Sequence, residues 1–104
     1  MQILGKEIEF NFEEAENIDK AIRLDNKYKE IFKEANTLTE KCKVYKDFFD
    51  ELMGKGTSVK LFGNKNKFFE ITDAYQDLMK EAERVNNEVI KRTSQINKKY
   101  ERYK

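Results

Sequence analysis

The chain has 104 residues, of which 39% are charged and 38% belong to the apolar set, and its formal net charge is +1. This length suits one compact domain, and the low apolar fraction leaves a thin core per residue. Histidine is absent and only one cysteine is present, which excludes a histidine-based catalytic or metal site and an intramolecular disulfide. We therefore expect a single, mainly α-helical domain over residues 1–104 that associates with other chains and is not an enzyme.

The first twelve residues show the pattern of a half-buried β-hairpin. Polar and apolar residues alternate from Glu7 to Phe12, which is the period of a strand with one buried face. Gly5-Lys6 can form a two-residue turn, because glycine supplies the positive φ that a type II′ turn requires. That turn predicts pairing of Ile3 with Ile8, and it places the apolar side chains of residues 1–12 on one face.

Residues 13–53 predict a first long helix. Apolar residues recur at alternating spacings of three and four from Ala21 to Leu52, which is the pattern of a coiled-coil seam. The segment Asn36–Thr39 contains weak helix formers and the spacing of a capping box, so a break there is the alternative. Because the seam continues through this segment, we expect one continuous helix. Cys42 falls on the seam, which predicts a buried structural thiol.

Residues 54–65 predict a connector with a short helix, because glycines flank its apolar residues. Residues 66–103 then repeat the three-four spacing and predict a second helix of similar length. Two long helices joined by a short connector predict a long antiparallel hairpin.

The aromatic content indicates a surface for partners. Five tyrosines and eight phenylalanines exceed what two paired helices can bury, because each helix hides only one face against the other. At least one apolar face therefore remains exposed, and we expect a homo-oligomer. For one connector residue, Phe62, the alternative is that it closes the end of the hairpin. The candidate contact residues are Tyr28, Ile31, Phe32, Tyr45, Phe48, Phe49, Val59, Leu61, Phe62 and Tyr75.

The charges are unevenly distributed. Residues 1–53 carry nine bases and 13 acids, whereas residues 54–104 carry 12 bases and seven acids. In an antiparallel hairpin the acidic start of the first helix would lie beside the basic end of the second, which accounts for this pattern. The basic C-terminal segment could instead bind nucleic acid, but a net charge of +1 argues against that function.

No pattern in the sequence predicts a catalytic, cofactor-binding or metal-binding residue. The chain also lacks a stretch of about 20 apolar residues that would span a membrane, and its N-terminus lacks the layout of a secretory signal. We therefore expect a cytoplasmic protein with no membrane partner.

Several short motifs of the chain occur together in one order. They are Gly5-Lys6-Glu7-Ile8-Glu9-Phe10-Asn11-Phe12 leading into Glu13-Glu14-Ala15-Glu16, then Phe48-Phe49-Asp50-Glu51-Leu52, Gly54-Lys55-Gly56-Thr57-Ser58, Leu61-Phe62-Gly63 and Ala74-Tyr75-Gln76-Asp77. Over roughly residues 3–80 this set resembles small proteins encoded in the tail operons of phages and prophages of Gram-positive bacteria. The resemblance implies a tail assembly chaperone that binds the coiled-coil tape-measure protein, or another tail protein, in the bacterial host, and it brings no enzymatic residues with it. A structural subunit of the tail or virion is the alternative.

Overall fold

The structure, a computed structural model, describes the backbone of residues 1–102 and the side chains of residues 1–99. It confirms a mainly α-helical fold with a small N-terminal sheet and a short connector helix. The last position of the predicted second helix, residue 103, lies outside the described residues. In chain order the elements are β1 (Gln2–Ile3), β2 (Lys6–Glu7), α1 (Ala15–Glu34), α2 (Leu38–Met53), α3 (Thr57–Phe62) and α4 (Phe68–Arg102).

The prediction of one continuous helix over residues 13–53 is wrong, because the chain leaves the helical conformation at Ala35 and α2 begins after Thr37. The Thr37 hydroxyl accepts a hydrogen bond from the Glu40 N–H at 3.1 Å. The Glu40 carboxylate accepts one from the Asn36 N–H at 2.7 Å. These bonds satisfy donors that a helix start leaves open, so the capping residues stabilise the break.

The helical hairpin is consequently formed by α1 and α2, which fold back on each other. The ring of Tyr28 packs on Phe48 at 5.8 Å between centroids, and Phe32 packs on Tyr45 at 5.3 Å. From the first contact to the second, the residue number rises on α1 and falls on α2. The two helices are therefore antiparallel. The arms of this hairpin are 20 and 16 residues long. The apolar seam continues across the break because each helix turns its seam toward the other.

The N-terminal hairpin forms with a different register from the predicted one. Leu4 and Gly5 both have positive φ, at 52° and 73°, which makes them the centre of a type I′ turn. Ile3 therefore pairs with Lys6, where the sequence predicted Ile8. The turn lies one residue earlier than predicted, so each pairing partner moves by two positions and the apolar face is preserved. Ile3 and Ile8 are both buried.

The core lies where the N-terminal hairpin, α1, α2, α3 and the first half of α4 meet. Cys42 is buried there, as its seam position predicted. Two other seam residues, Ile31 and Leu38, are 41% and 62% exposed because they lie at the tip of the helical hairpin, which nothing else covers. The largest fully buried side chains are Ile3, Phe12, Leu24, Cys42, Phe49, Leu61, Ile71 and Leu78.

The second half of α4 extends beyond this core. Among the side chains of α4 that the structure describes, Val85 is the last buried one, and every residue from 86 to 99 is exposed. The radius of gyration is 16.6 Å, compared with about 13 Å for a compact domain of this length. We call residues 1–85 the head and residues 86–99 the projecting segment. Within residues 1–102, no helix is both long and apolar enough to cross a membrane.

Candidate partner-binding surfaces

Five of the ten candidate contact residues surround a single pocket. Tyr28 and Phe32 line it from α1, Tyr45 and Phe48 from α2, and Tyr75 from α4. The volume is about 170 Å³, and an apolar cavity of roughly 150 Å³ can hold benzene. This pocket therefore has room for one side chain or one small head group. We call it the aromatic pocket, and the other residues that line it are Asp25, Lys29 and Val44.

The aromatic rings meet at steep angles. The centroids of Tyr45 and Tyr75 lie 5.3 Å apart with 62° between the ring planes, and those of Phe32 and Tyr45 lie 5.3 Å apart at 65°. Phe48 and Tyr75 are 5.8 Å apart at 66°. These values are typical of the edge-to-face arrangement that aromatic pairs prefer. The rings therefore pack against each other and form pocket walls that are inclined to one another.

The tyrosine hydroxyls of this region bond to carboxylates. Tyr75 donates to the Asp25 carboxylate at 2.6 Å, and Tyr28 donates to Glu51. Burial, followed by these bonds, raises the pKa of both tyrosines above the ordinary value of 10.0. Burial also raises the pKa of Tyr45, and the bond from Tyr28 lowers the pKa of the Glu51 carboxyl. At neutral pH all three hydroxyls are therefore protonated.

The other five candidates do not belong to the pocket. Phe49 is 0% exposed, and Leu61 and Phe62 are also buried, so these three side chains are core residues and not surface contacts. Phe49 and Phe62 pack on each other at 5.5 Å, which agrees with the alternative that Phe62 closes the end of the helices. Val59 and Ile31 are exposed but lie away from the pocket.

Hydrogen bonds to one carboxylate of α2 attach the connector to the head. Asp50, near the end of α2, accepts hydrogen bonds from the Ser58 N–H at 2.8 Å and from the Ser58 hydroxyl at 2.9 Å. Ser58 is itself buried. The turn between them contains Gly54 and Gly56 with positive φ of 111° and 95°, a conformation that other residues rarely adopt. These contacts fix α3 against α2 and place its apolar side chains in the core.

The projecting segment is a second surface, which the list of candidate residues missed. Ile71, Leu78 and Val85 recur every seven residues on α4 and are buried in the head. Val89 and Ile96 continue the same stripe, because they follow at spacings of four and seven, yet they are 47% and 53% exposed. The seven-residue spacing was visible in the sequence. The sequence did not show that the elements of the head packed against α4 end before the stripe does.

The projecting segment is also basic, with a net charge of +3 from one acid and four bases. The acid, Glu88, pairs with Arg92 at 3.0 Å within the same helix. Glu13, at the acidic start of the chain, lies beside Arg84 at the base of the segment. As far as side chains are described, up to residue 99, the predicted charge match between helix ends is therefore present only at this base. The four bases of the segment are Lys91, Arg92, Lys98 and Lys99.

The head and the projecting segment together define a small helical domain with two candidate surfaces for a partner, the aromatic pocket and the exposed stripe. Within the described residues, no three carboxylate or cysteine side chains cluster in a way that would hold a metal ion. The chain belongs to a family of unknown function designated DUF6673, and the match covers residues 4–104. The matched range includes both the aromatic pocket and the projecting segment. No curated protein and no solved structure matches the chain.

Proposed function

We propose that this chain is a non-enzymatic interaction protein that binds a coiled-coil helix of another protein along the projecting segment. The observation that carries the proposal is the continuity of one apolar stripe. Its buried part, from Ile71 to Val85, holds α4 on the head, and its exposed part, Val89 and Ile96, is covered by nothing in the described chain. A stripe at heptad spacing fits a partner helix with the same spacing.

The exposed surface of the chain is consistent with a missing partner. The accessible surface is 7679 Å², whereas a compact monomer of 12.5 kDa would expose about 6,200 Å². The excess, about 1,500 Å², exceeds the roughly 800 Å² that one partner contributes to a specific interface of standard size. A homo-oligomer would cover part of this surface between encounters with a client, and we include self-association in the proposal.

The charge of the projecting segment specifies the chemistry of the client. Two of the four bases, Arg92 and Lys99, occupy the same stripe as Val89 and Ile96, whereas Lys91 and Lys98 lie more than about 100° around the helix from its centre. A helix with acidic residues at and beside its own apolar seam is therefore electrostatically complementary to the stripe. The segment of 14 residues is about 21 Å long, or two heptads. A contact of two heptads is too short for tight binding, so the client can be released again. Reversible binding is what a chaperone requires.

The resemblance to tail-operon proteins gives the client a more specific identity. We propose that the chain acts in the bacterial cytoplasm as a tail assembly chaperone, which keeps the long coiled-coil tape-measure protein soluble until tail subunits enclose it. Neither the client nor the oligomer requires a cofactor, because helix pairing alone supplies the contact.

The test uses the full chain and the coiled-coil tape-measure protein that the proposal names as its client. We expect the two to co-purify at micromolar concentrations, and the double substitution Val89→Ser and Ile96→Ser to weaken binding at least about tenfold, since each removes an apolar contact from the seam. Ile90→Ser is the matched control, because Ile90 is 59% exposed but lies about 100° around the helix from Val89. No complex, or equal binding by all variants, would contradict the proposal.

The basic charge of the projecting segment supports a second candidate function, nucleic-acid binding. That function predicts retention of DNA or RNA that falls steeply with salt and depends on Lys98 and Lys99 and not on Val89. Filter-binding titrations of the Val89 and Ile96 double variant and of a Lys98→Gln, Lys99→Gln double variant separate the two functions. Mass spectrometry of purified virions separates a chaperone, which is absent from the finished particle, from a structural tail subunit.

A further inference from the structure

We propose that the aromatic pocket binds a quaternary ammonium head group. Rings from three helices form its walls, and the Asp25 carboxylate contributes the one negative charge among the residues that line it. The inference does not depend on the projecting segment, because the pocket belongs entirely to the head.

The first argument is that the pocket remains open although its walls are close-packed rings. The rings of Phe32, Tyr45 and Tyr75 contact each other at about 5.3 Å between centroids, yet a volume of about 170 Å³ stays unfilled beside them. Close contact between the rings therefore does not consume the space, which is available to a ligand.

The second argument concerns the charge of the ligand. The face of an aromatic ring carries negative potential and attracts cations, and aromatic cages recognise quaternary ammonium groups in this way. The Tyr75 hydroxyl donates to Asp25 at 2.6 Å and so fixes the carboxylate at the pocket wall. Lys29 also lines the pocket, but its side chain is exposed and its flexible stem allows the ammonium to extend into water.

The third argument separates a quaternary ammonium from other organic cations. A primary ammonium has three donors and is strongly hydrated, and a guanidinium has five donors, whereas this pocket offers one carboxylate and mainly apolar walls. A planar guanidinium would also stack on one ring and leave the inclined walls uncovered. A trimethylammonium group has no donor to satisfy, and its rounded shape contacts several walls at once.

The test is a titration of the full chain with choline, followed by tyrosine fluorescence, which no tryptophan obscures because the chain has none. The comparison ligand is the neutral carbon analogue of choline, with a tert-butyl group in place of the trimethylammonium. We expect choline to bind about tenfold more tightly than the analogue, because only the cation gains from the ring faces and from Asp25. This comparison needs no variant. Equal affinities, or no saturable signal with choline at millimolar concentrations, would overturn the proposal.

Variants assign the effect to the pocket. Asp25→Asn keeps an acceptor for the Tyr75 hydroxyl and removes the charge, so we expect it to abolish most of the preference for choline over its analogue. Asp73→Asn is the matched control, because Asp73 lies on α4, is exposed and does not line the pocket. A preference that survives in the Asp25 variant would contradict the role of the carboxylate.

Further ligands identify the source of the head group. Trimethyl-lysine amide, compared with choline, distinguishes a methylated side chain of a partner protein from a free small molecule. Butylammonium and methylguanidinium should bind at least about tenfold more weakly than choline, since they bring donors that the walls leave unpaired. Tighter binding of either would show that the pocket takes a hydrogen-bonding cation, contrary to the proposal.

Discussion

The two halves of α4 have the same apolar spacing and opposite surroundings. In the head, Leu78 and Val85 are 0% and 4% exposed, whereas one turn later Val89 is 47% exposed. The helix itself continues without interruption to Arg102. Spacing therefore identifies the residues that share a face, but only the lengths of the neighbouring elements decide whether that face is covered. The same stripe is core in one half of the helix and exposed in the other.

The largest expected difference between the two regions is in stability. Phe49 is fully buried among α2 and α3 residues, so Phe49→Ala should lower the free energy of unfolding by about 3–5 kcal/mol through lost apolar burial and a cavity. Val89→Ala on the projecting segment should change it by less than about 0.5 kcal/mol. Urea unfolding followed by circular dichroism measures both. Equal losses would show that the projecting segment is covered in solution, for example by a second copy.

A smaller effect is expected where the connector joins the head. Asp50→Ala leaves the buried Ser58 N–H and hydroxyl without their acceptor, which should cost about 1–3 kcal/mol. Asp47→Ala is the control, because Asp47 lies on the same helix and is exposed. If both variants unfold at the same urea concentration, the carboxylate does not fix α3.

The break between α1 and α2 should respond more modestly. Thr37→Ala removes the hydroxyl that accepts from the Glu40 N–H, and loss of such a cap typically costs about 1 kcal/mol. The expected result is a fall in Tm of a few degrees, about 4–8 °C per kcal/mol for a domain of this size. Thr39→Ala, two residues into the helix region, serves as the control. An unchanged Tm in the Thr37 variant would argue that the seam alone, without the cap, determines where the chain turns.

The smallest effect concerns alkaline pH and is confined to the head. Burial and the bond to Asp25 raise the pKa of Tyr75 above 10.0, so the folded state holds the phenol proton more tightly than the unfolded state does. Stability is therefore complete below the unfolded pKa and falls as the pH rises through and beyond 10.0, where the unfolded state ionises first. Tyr75→Phe should show a shallower loss when urea midpoints are compared across that range. An equally steep loss in the variant would assign the pH dependence to other groups.

Much of the local structure followed from residue types. The spacing of apolar residues and the positions of the glycines indicated three features correctly. These are the apolar face of the first twelve residues, the glycine-bounded connector and the second helix. The register of the β-hairpin was not indicated correctly, because Leu4 adopts a positive φ that residues other than glycine seldom take. The sequence alone gave no reason to prefer that turn over one centred on Gly5-Lys6.

The break near Asn36 decided how much of the candidate site could be predicted. Its capping spacing was recognised, but the uninterrupted seam favoured a continuous helix. A continuous helix would place Phe32 and Tyr45 almost 20 Å apart along one axis, whereas the hairpin brings their rings to 5.3 Å. The aromatic pocket exists only because α1 folds back. Its aromatic residues could therefore be named one by one from the sequence. The sequence could not predict that they surround a single pocket.

Because α4 is uninterrupted, it sets the distance between the aromatic pocket and the exposed part of the stripe. It contains neither glycine nor proline from Phe68 to Arg102, so no hinge residue separates the head from the projecting segment. Tyr75, in the wall of the pocket, and Ile96, on the exposed part of the stripe, are separated by about 32 Å along the axis of α4. If both proposals hold, a client bound at Ile96 and a head group in the pocket would keep one distance and one orientation relative to each other, because a single helix carries both contacts.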